Sequence, residues 1–125
     1  MTSAIKLPGP DHPITIEPTG RRVTVRAGDT VIAETDDALT LQESTYSAVQ
    51  YIPLADVDPA VLRPSDTRTH CPYKGDASYL SVQVAEGGPE ITDAIWTYRE
   101  PYDAVAAIKD RVAFYPDRVQ ITVHD

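Results

Sequence analysis

The sequence predicts a mainly β domain of antiparallel strands, folded as a sandwich or a partly open barrel. Nine short segments, spaced near ten residues apart, alternate apolar and polar residues or cluster β-branched ones. Only two brief segments have helical character. A parallel sheet needs crossovers of roughly a dozen residues or more, and the sequence offers one candidate at most.

The N-terminal half is predicted to contain an arm followed by five strands. Residues 1–13 form an extended arm, because Pro8, Gly9, Pro10 and Pro13 resist helix formation. A single β domain then occupies residues 14–125. The turn residues at 18–20 and 27–29 predict that its first three strands are antiparallel neighbours. The five strands are predicted at residues 14–17, 22–26, 30–34, 38–43 and 48–52.

The C-terminal half begins with a helical turn, because Asp58 is a favoured N-cap residue and precedes Pro59 at the first helical position. Residues 79–84 and 90–98 alternate strongly and flank a Gly-Gly-Pro turn, which predicts a hairpin. A short amphipathic helix is predicted at 101–109, with strands at 111–115 and 119–123.

Composition limits the class of protein. The 125 residues are 42% hydrophobic and 24% charged, which is typical of one folded domain. A net charge of -8 disfavours nucleic acid as a partner, and no apolar run approaches the roughly 20 residues that cross a bilayer. With no signal-like apolar start and one cysteine, which excludes an internal disulfide, we expect a cytoplasmic protein. The sequence leaves its oligomeric state open.

The segment 69–79 is the most informative one, because it combines a thiol, an ammonium and two phenols around a turn. Within it, Gly75 is expected to adopt a positive φ or to allow close backbone approach. On the later strand, Trp96 and Tyr98 are two residues apart and therefore share a face. Seven tyrosines against one phenylalanine indicate that several hydroxyls meet polar partners.

Catalytic and metal chemistry is weakly supported by the residues. A zinc site lacks ligands, because Cys71 is the single cysteine and adjacent His70 would point to the opposite face of a strand. No metal or cofactor is therefore predicted. Cys71 lacks a base in its motif, and an inert buried thiol is the simpler interpretation. Lys74 either meets an anionic ligand group or forms a salt bridge with a surface carboxylate such as Glu100.

Four separated blocks occur in this order along the chain: Tyr51-Ile52-Pro53, residues 69–75 with Ala77 and Tyr79, residues 94–98 with Pro101, and residues 112–116. With these blocks, roughly residues 14–123 resemble the bacterial family named domain of unknown function 427. The resemblance implies a β fold of the β-tent type and a site around the second and third blocks, without an established activity. The family is also labelled nucleotidyltransferase-like, but Asp56 and Asp58 are the only close acidic pair of the form that metal-dependent transfer uses.

We therefore expect a small-molecule-binding β domain with a cleft between residues 71–79 and 91–98, for a partly aromatic or anionic ligand. Arg99 or Glu100 would form its rim. An enzyme that uses Lys74 and a tyrosine as acid-base groups, and a protein-interaction module with an exposed sheet edge, are the alternatives. The predicted ligand-binding residues are Tyr51, Cys71, Tyr73, Lys74, Tyr79, Trp96 and Tyr98.

Overall fold

The computed structural model describes residues 5–125, which form ten strands in two antiparallel sheets. The larger sheet has the strand order β1-β4-β5-β9-β8-β7-β6, and the smaller has the order β10-β2-β3. The predicted mainly antiparallel β class is confirmed. The strands are β1 Ile14–Pro18, β2 Val23–Ala27, β3 Thr30–Thr35, β4 Leu39–Glu43, β5 Val49–Pro53, β6 Leu62–Cys71, β7 Gly75–Val82, β8 Ile91–Thr97, β9 Arg111–Phe114 and β10 Gln120–Val123.

The second and third predicted strands are antiparallel neighbours as predicted, but the first strand is not a neighbour of the second. β1 pairs with β4, with Ile16 opposite Leu41, whereas β2 and β3 form a hairpin in the smaller sheet. The segment after β1 continues along the larger sheet, because the Thr19 amide donates to the Ala38 carbonyl. The side chain of Thr19 also bonds that of Gln50 at 2.6 Å. The Pro-Thr-Gly segment therefore links two sheets and does not close a hairpin.

Strand β6 was not predicted. It lies at the edge of the larger sheet and pairs with β7, with Thr69 opposite Ala77. An edge strand that is mostly exposed needs no apolar alternation, so its sequence carries no period of two. Pro64 and the charged residues along it suit an edge, because they discourage pairing with other chains.

Three short 3₁₀ segments, Leu54–Asp56, Pro59–Val61 and Asp103–Ile108, connect the strands. The predicted cap is confirmed, since the Asp58 carboxylate accepts the Ala60 amide at 3.0 Å. The second predicted helix forms as a 3₁₀ segment that is kinked at Val105.

The core is divided between the two faces of the larger sheet. One cluster includes Val25 of the smaller sheet together with Ile52 and Phe114, so it lies between the sheets. The neighbouring residues Tyr51 and Ala113 belong to a second cluster on the other face, under Asp103–Ile108. The candidate site lies on this second face.

Gly75 has the conformation that the sequence predicted, with φ at +113°. It also allows close approach, because a Cβ there would lie 3.3 Å from the Glu100 carbonyl oxygen. The Tyr102 amide donates to the Lys74 carbonyl in the same place. The glycine thus holds the turn before β7 against residues 100–102.

We predict that Gly75→Ala lowers the free energy of unfolding by about 3 kcal/mol, the upper part of the range for backbone strain. Gly20 is a matched control, because it also has a positive φ of +72° but open space around it. Gly20→Ala should cost only about 1 kcal/mol. Urea denaturation of both variants measures the difference, and equal losses would show that the close contact is unimportant.

Candidate functional site

A cavity of about 220 Å³ opens on the second face of the larger sheet. Side chains two residues apart on a strand share a face, so β4 contributes Leu41 and Glu43, and β5 contributes Val49 and Tyr51. The cavity is bounded by strands and by the turns that connect them. Its lining residues are Leu41, Glu43, Tyr46, Ser47, Val49, Tyr51, Lys74, Tyr79, Trp96, Tyr98 and Tyr115.

The centre of the wall is a Trp96–Tyr51 contact. The Trp96 indole N–H donates to the Tyr51 hydroxyl oxygen at 3.2 Å, and the two rings meet edge to face. Ala113 on the intervening strand β9 pairs with Trp96. The small Ala113 side chain leaves the space that these two large rings occupy.

Two phenols of the wall are buried and stay protonated. Burial raises the pKa of Tyr51 and of Tyr98 well above the usual value for tyrosine. Because Tyr51 already accepts from Trp96, its own hydroxyl proton remains for another acceptor. Among residues 5–125, no side chain hydrogen-bonds the Tyr98 hydroxyl. This oxygen is not fully enclosed, because the described residues contain no enclosed side-chain polar atom without a partner.

Tyr115 and Tyr79 form the rim. The Tyr115 ring lies 4.5 Å from that of Trp96, and the Tyr79 hydroxyl is 2.8 Å from that of Thr69. Burial and the neighbouring Tyr79 phenol raise the pKa of Tyr115 to about 12. The Tyr51, Tyr98 and Tyr115 phenols therefore act as neutral hydrogen-bonding groups near pH 7.

A chain of charges closes the other side of the cavity. The Lys74 ammonium donates to one oxygen of Glu43, and His12 Nε2 lies 2.7 Å from the other. Burial opposes ionisation of Glu43, but the hydrogen bonds and charges of Lys74 and His12 outweigh it and lower its pKa. The Lys74 and Glu43 side chains are only 11% and 12% exposed. Lys74 is thus committed to Glu43 and not to the predicted Glu100.

Five of the seven predicted site residues line this cavity: Tyr51, Lys74, Tyr79, Trp96 and Tyr98. Cys71 and Tyr73 do not. Cys71 packs against the core cluster that contains Tyr51. Tyr73 lies in the turn and stacks on His12 of the N-terminal arm, with ring centroids 3.9 Å apart.

The predicted rim residues Arg99 and Glu100 lie elsewhere. They line a separate depression together with Asp76, Ser78 and Tyr102. Both follow the end of β8 and are exposed, so they do not belong to the cavity wall.

The match to a family model covers nearly the whole chain. The model described as Domain of unknown function (DUF427) matches residues 15–125. The chain belongs to the DUF427 family. A comparison of this DUF427 domain with curated proteins gave no match.

Several residues of the candidate site in this DUF427 domain were not predicted from the sequence, above all Glu43, Tyr46, Ser47 and Tyr115. Alternation in β4 would have placed Glu43 on the same face as Leu41, which is a signal that the sequence contains. No comparable signal exists for Tyr46 and Ser47, which lie in the connection between β4 and β5.

Residues 5–125 contain no group of three or more His, Cys, Asp or Glu side chains placed to hold a metal ion. No helix in the same range is long and apolar enough to cross a membrane.

We predict that Glu43→Gln lowers the free energy of unfolding by about 3 kcal/mol at pH 7, because it leaves the Lys74 ammonium buried without its counter-charge. The folded-state pKa of Glu43 is lowered, so its contribution exists above the ordinary pKa of about 4.3 and is lost as the pH falls below it. The gap between wild type and variant should therefore shrink in acid.

Asp36→Asn is the control for this measurement. The exposed Asp36 also has a lowered pKa, caused by its hydrogen bond with Arg22, but it is solvated. In denaturation at a series of pH values, Asp36→Asn should lower the free energy of unfolding only slightly, and this loss should depend little on pH. A Glu43→Gln deficit that stays constant into acid would contradict the role of the ion pair.

We also predict an alkaline transition. The pKa values of Tyr51, Tyr98 and Tyr115 are raised in the folded state. Their contribution to stability is complete below about pH 10, where unfolded tyrosine ionises, and is lost as the pH rises further. Phenolate absorbance should rise in two phases, the later one together with loss of circular dichroism. A single phase near pH 10 in a still folded protein would contradict the burial of these phenols.

Proposed function

We propose that this DUF427 domain binds a small, uncharged aromatic molecule that carries an oxygen hydrogen-bond acceptor, such as a carbonyl group. The observation that supports this most is the pair of buried, protonated phenols, Tyr51 and Tyr98, beside the Trp96 ring in one cavity. The cavity volume of about 220 Å³ suits one ring with its substituent, since a cavity of about 150 Å³ can hold benzene.

Two tyrosine hydroxyls of the cavity wall can donate to a ligand. The Tyr51 oxygen accepts from Trp96, and its own proton stays available for donation. The pKa of Tyr98 is raised by burial, so it also donates at neutral pH. Two donors that face one hollow favour a ligand with an acceptor oxygen, which would otherwise lose its hydrogen bonds to water on entry.

The charges of the cavity wall restrict the ligand's head group. Glu43 is ionised and Lys74 neutralises it, so the wall offers no unpaired charge for a carboxylate. The aromatic rings would suit a quaternary ammonium group, but the Lys74 ammonium already occupies that side of the cavity. An uncharged head group therefore fits better than either ion.

Two alternatives remain from the sequence. An enzyme that uses Lys74 as base or nucleophile is less favoured, because the ammonium is held by Glu43. A protein-interaction module would use a sheet edge or an apolar patch. The edge strand β6 is polar and contains Pro64, which disfavours strand addition. Neither alternative accounts for the buried phenols.

The test uses the single tryptophan of the chain, Trp96, as a fluorescence reporter in the cavity wall. Three probes share a benzene ring and differ in head-group charge: benzamide, benzoate and benzyltrimethylammonium. We predict that benzamide gives saturable quenching with the highest affinity. Tyr98→Phe should weaken benzamide about fivefold to tenfold, because one hydrogen bond is lost.

Tyr102→Phe is the control, because Tyr102 is a half-buried tyrosine that lies outside the cavity. It should bind benzamide as the wild type does. Tightest binding of benzoate or of the ammonium probe would contradict the charge argument. Absence of quenching by all three probes would contradict the proposed function.

A further inference from the structure

A second depression of about 390 Å³ adjoins the cavity and is almost entirely apolar. It lies where the larger sheet meets β10 of the smaller sheet. Among the described residues, no charged side chain lines it. Its lining residues are Ser47, Ala48, Val49, Gln50, Trp96, Phe114, Pro116, Ile121 and Val123. We call this depression the apolar groove.

The apolar groove exists because two neighbouring strands separate. β5 and β9 pair only at Ile52 with Val112 and at Pro53 with Arg111. The N-terminal end of β5 pairs on its other side with β4, where Val49 is opposite Leu41. Residues 49–50 and 114–116 thus border a gap, and Ile121 and Val123 of β10 line it from the smaller sheet.

The groove and the cavity are adjacent. Ser47, Val49 and Trp96 line both. Trp96 therefore lies between the two hollows. On one side is the cavity, which is lined by phenols and an ion pair, and on the other is the apolar groove, which is lined by aliphatic and aromatic carbon. Such a change of polarity over the length of one side chain matches a molecule with a polar head and an apolar tail.

We propose that the ligand of this domain carries an unbranched alkyl chain, which leaves the cavity past Trp96 and lies in the apolar groove. This inference rests on the proposed function, because the head group is the aromatic acceptor that the cavity would bind. The groove lacks charges to bind a second polar group, so burial of methylenes is the interaction it offers. The domain would then be a binder of small amphipathic molecules.

A homologous series tests this: para-methyl-, para-butyl- and para-hexylbenzamide, titrated by Trp96 fluorescence and by calorimetry. Each buried methylene should tighten binding about threefold to fourfold, which corresponds to about 0.8 kcal/mol of transfer free energy. Val123→Glu places a carboxylate beside the chain and should remove this gain. The affinity for para-methylbenzamide should remain that of the wild type.

Val84→Glu is the matched control, because Val84 and Val123 are both 39% exposed and only Val123 lines the groove. Ala48→Phe, which fills the groove from an exposed position, replaces Val123→Glu if that variant does not fold. Gains with chain length that only the groove variants abolish support the proposal. Equal affinities across the series, or gains that persist in the groove variants, overturn it and leave the head-group site intact. No binding of any member overturns both proposals.

Discussion

The ion pair between Lys74 and Glu43 is the interaction on which the site depends. Glu43 is the last residue of β4, and Lys74 directly precedes β7. In the larger sheet these two strands are separated by β5, β9 and β8, which at strand spacing corresponds to about 19 Å in a flat sheet. Two side chains do not span that distance, so the contact requires the sheet to curve around the second core cluster. The cavity lies in the hollow of that curve, and the ion pair closes one side of the cavity. Within residues 5–125, Lys74 and Glu43 are the only charged residues of the cavity wall, and they neutralise each other.

The same curvature explains why the wall uses tyrosine. Strands that converge on a hollow bring large side chains together, and a phenol fills volume while it keeps one polar atom at the surface of the hollow. Burial holds Tyr51 and Tyr98 in the protonated form, and Trp96 fixes which way Tyr51 can donate. Where β5 and β9 separate, the polar hollow gives way to the apolar groove. The chemistry of both regions thus follows from how the strands pair.

Local patterns in the sequence predicted most of the fold and part of the site. Alternation identified nine strands and placed Trp96 and Tyr98 on one face, and Asp58 marked its own turn. The pairing of β1 with β4 was not predictable in this way, because it depends on residues far apart in the chain. The same applies to the contact between Glu43 and Lys74, which are 31 positions apart. Tyr73 is one residue from Lys74, yet the turn directs it to His12 instead of the cavity.

The most direct measurement of the central claim is a crystal structure of the domain with benzamide bound. We expect one ordered ligand in the cavity, with its ring against Trp96 and its carbonyl oxygen within hydrogen-bonding distance of the Tyr51 and Tyr98 hydroxyls. The contact between Lys74 and Glu43 should be retained. A ligand bound elsewhere on the molecule, or a cavity ligand that displaces Lys74 from Glu43 to reach the ammonium, would contradict the claim.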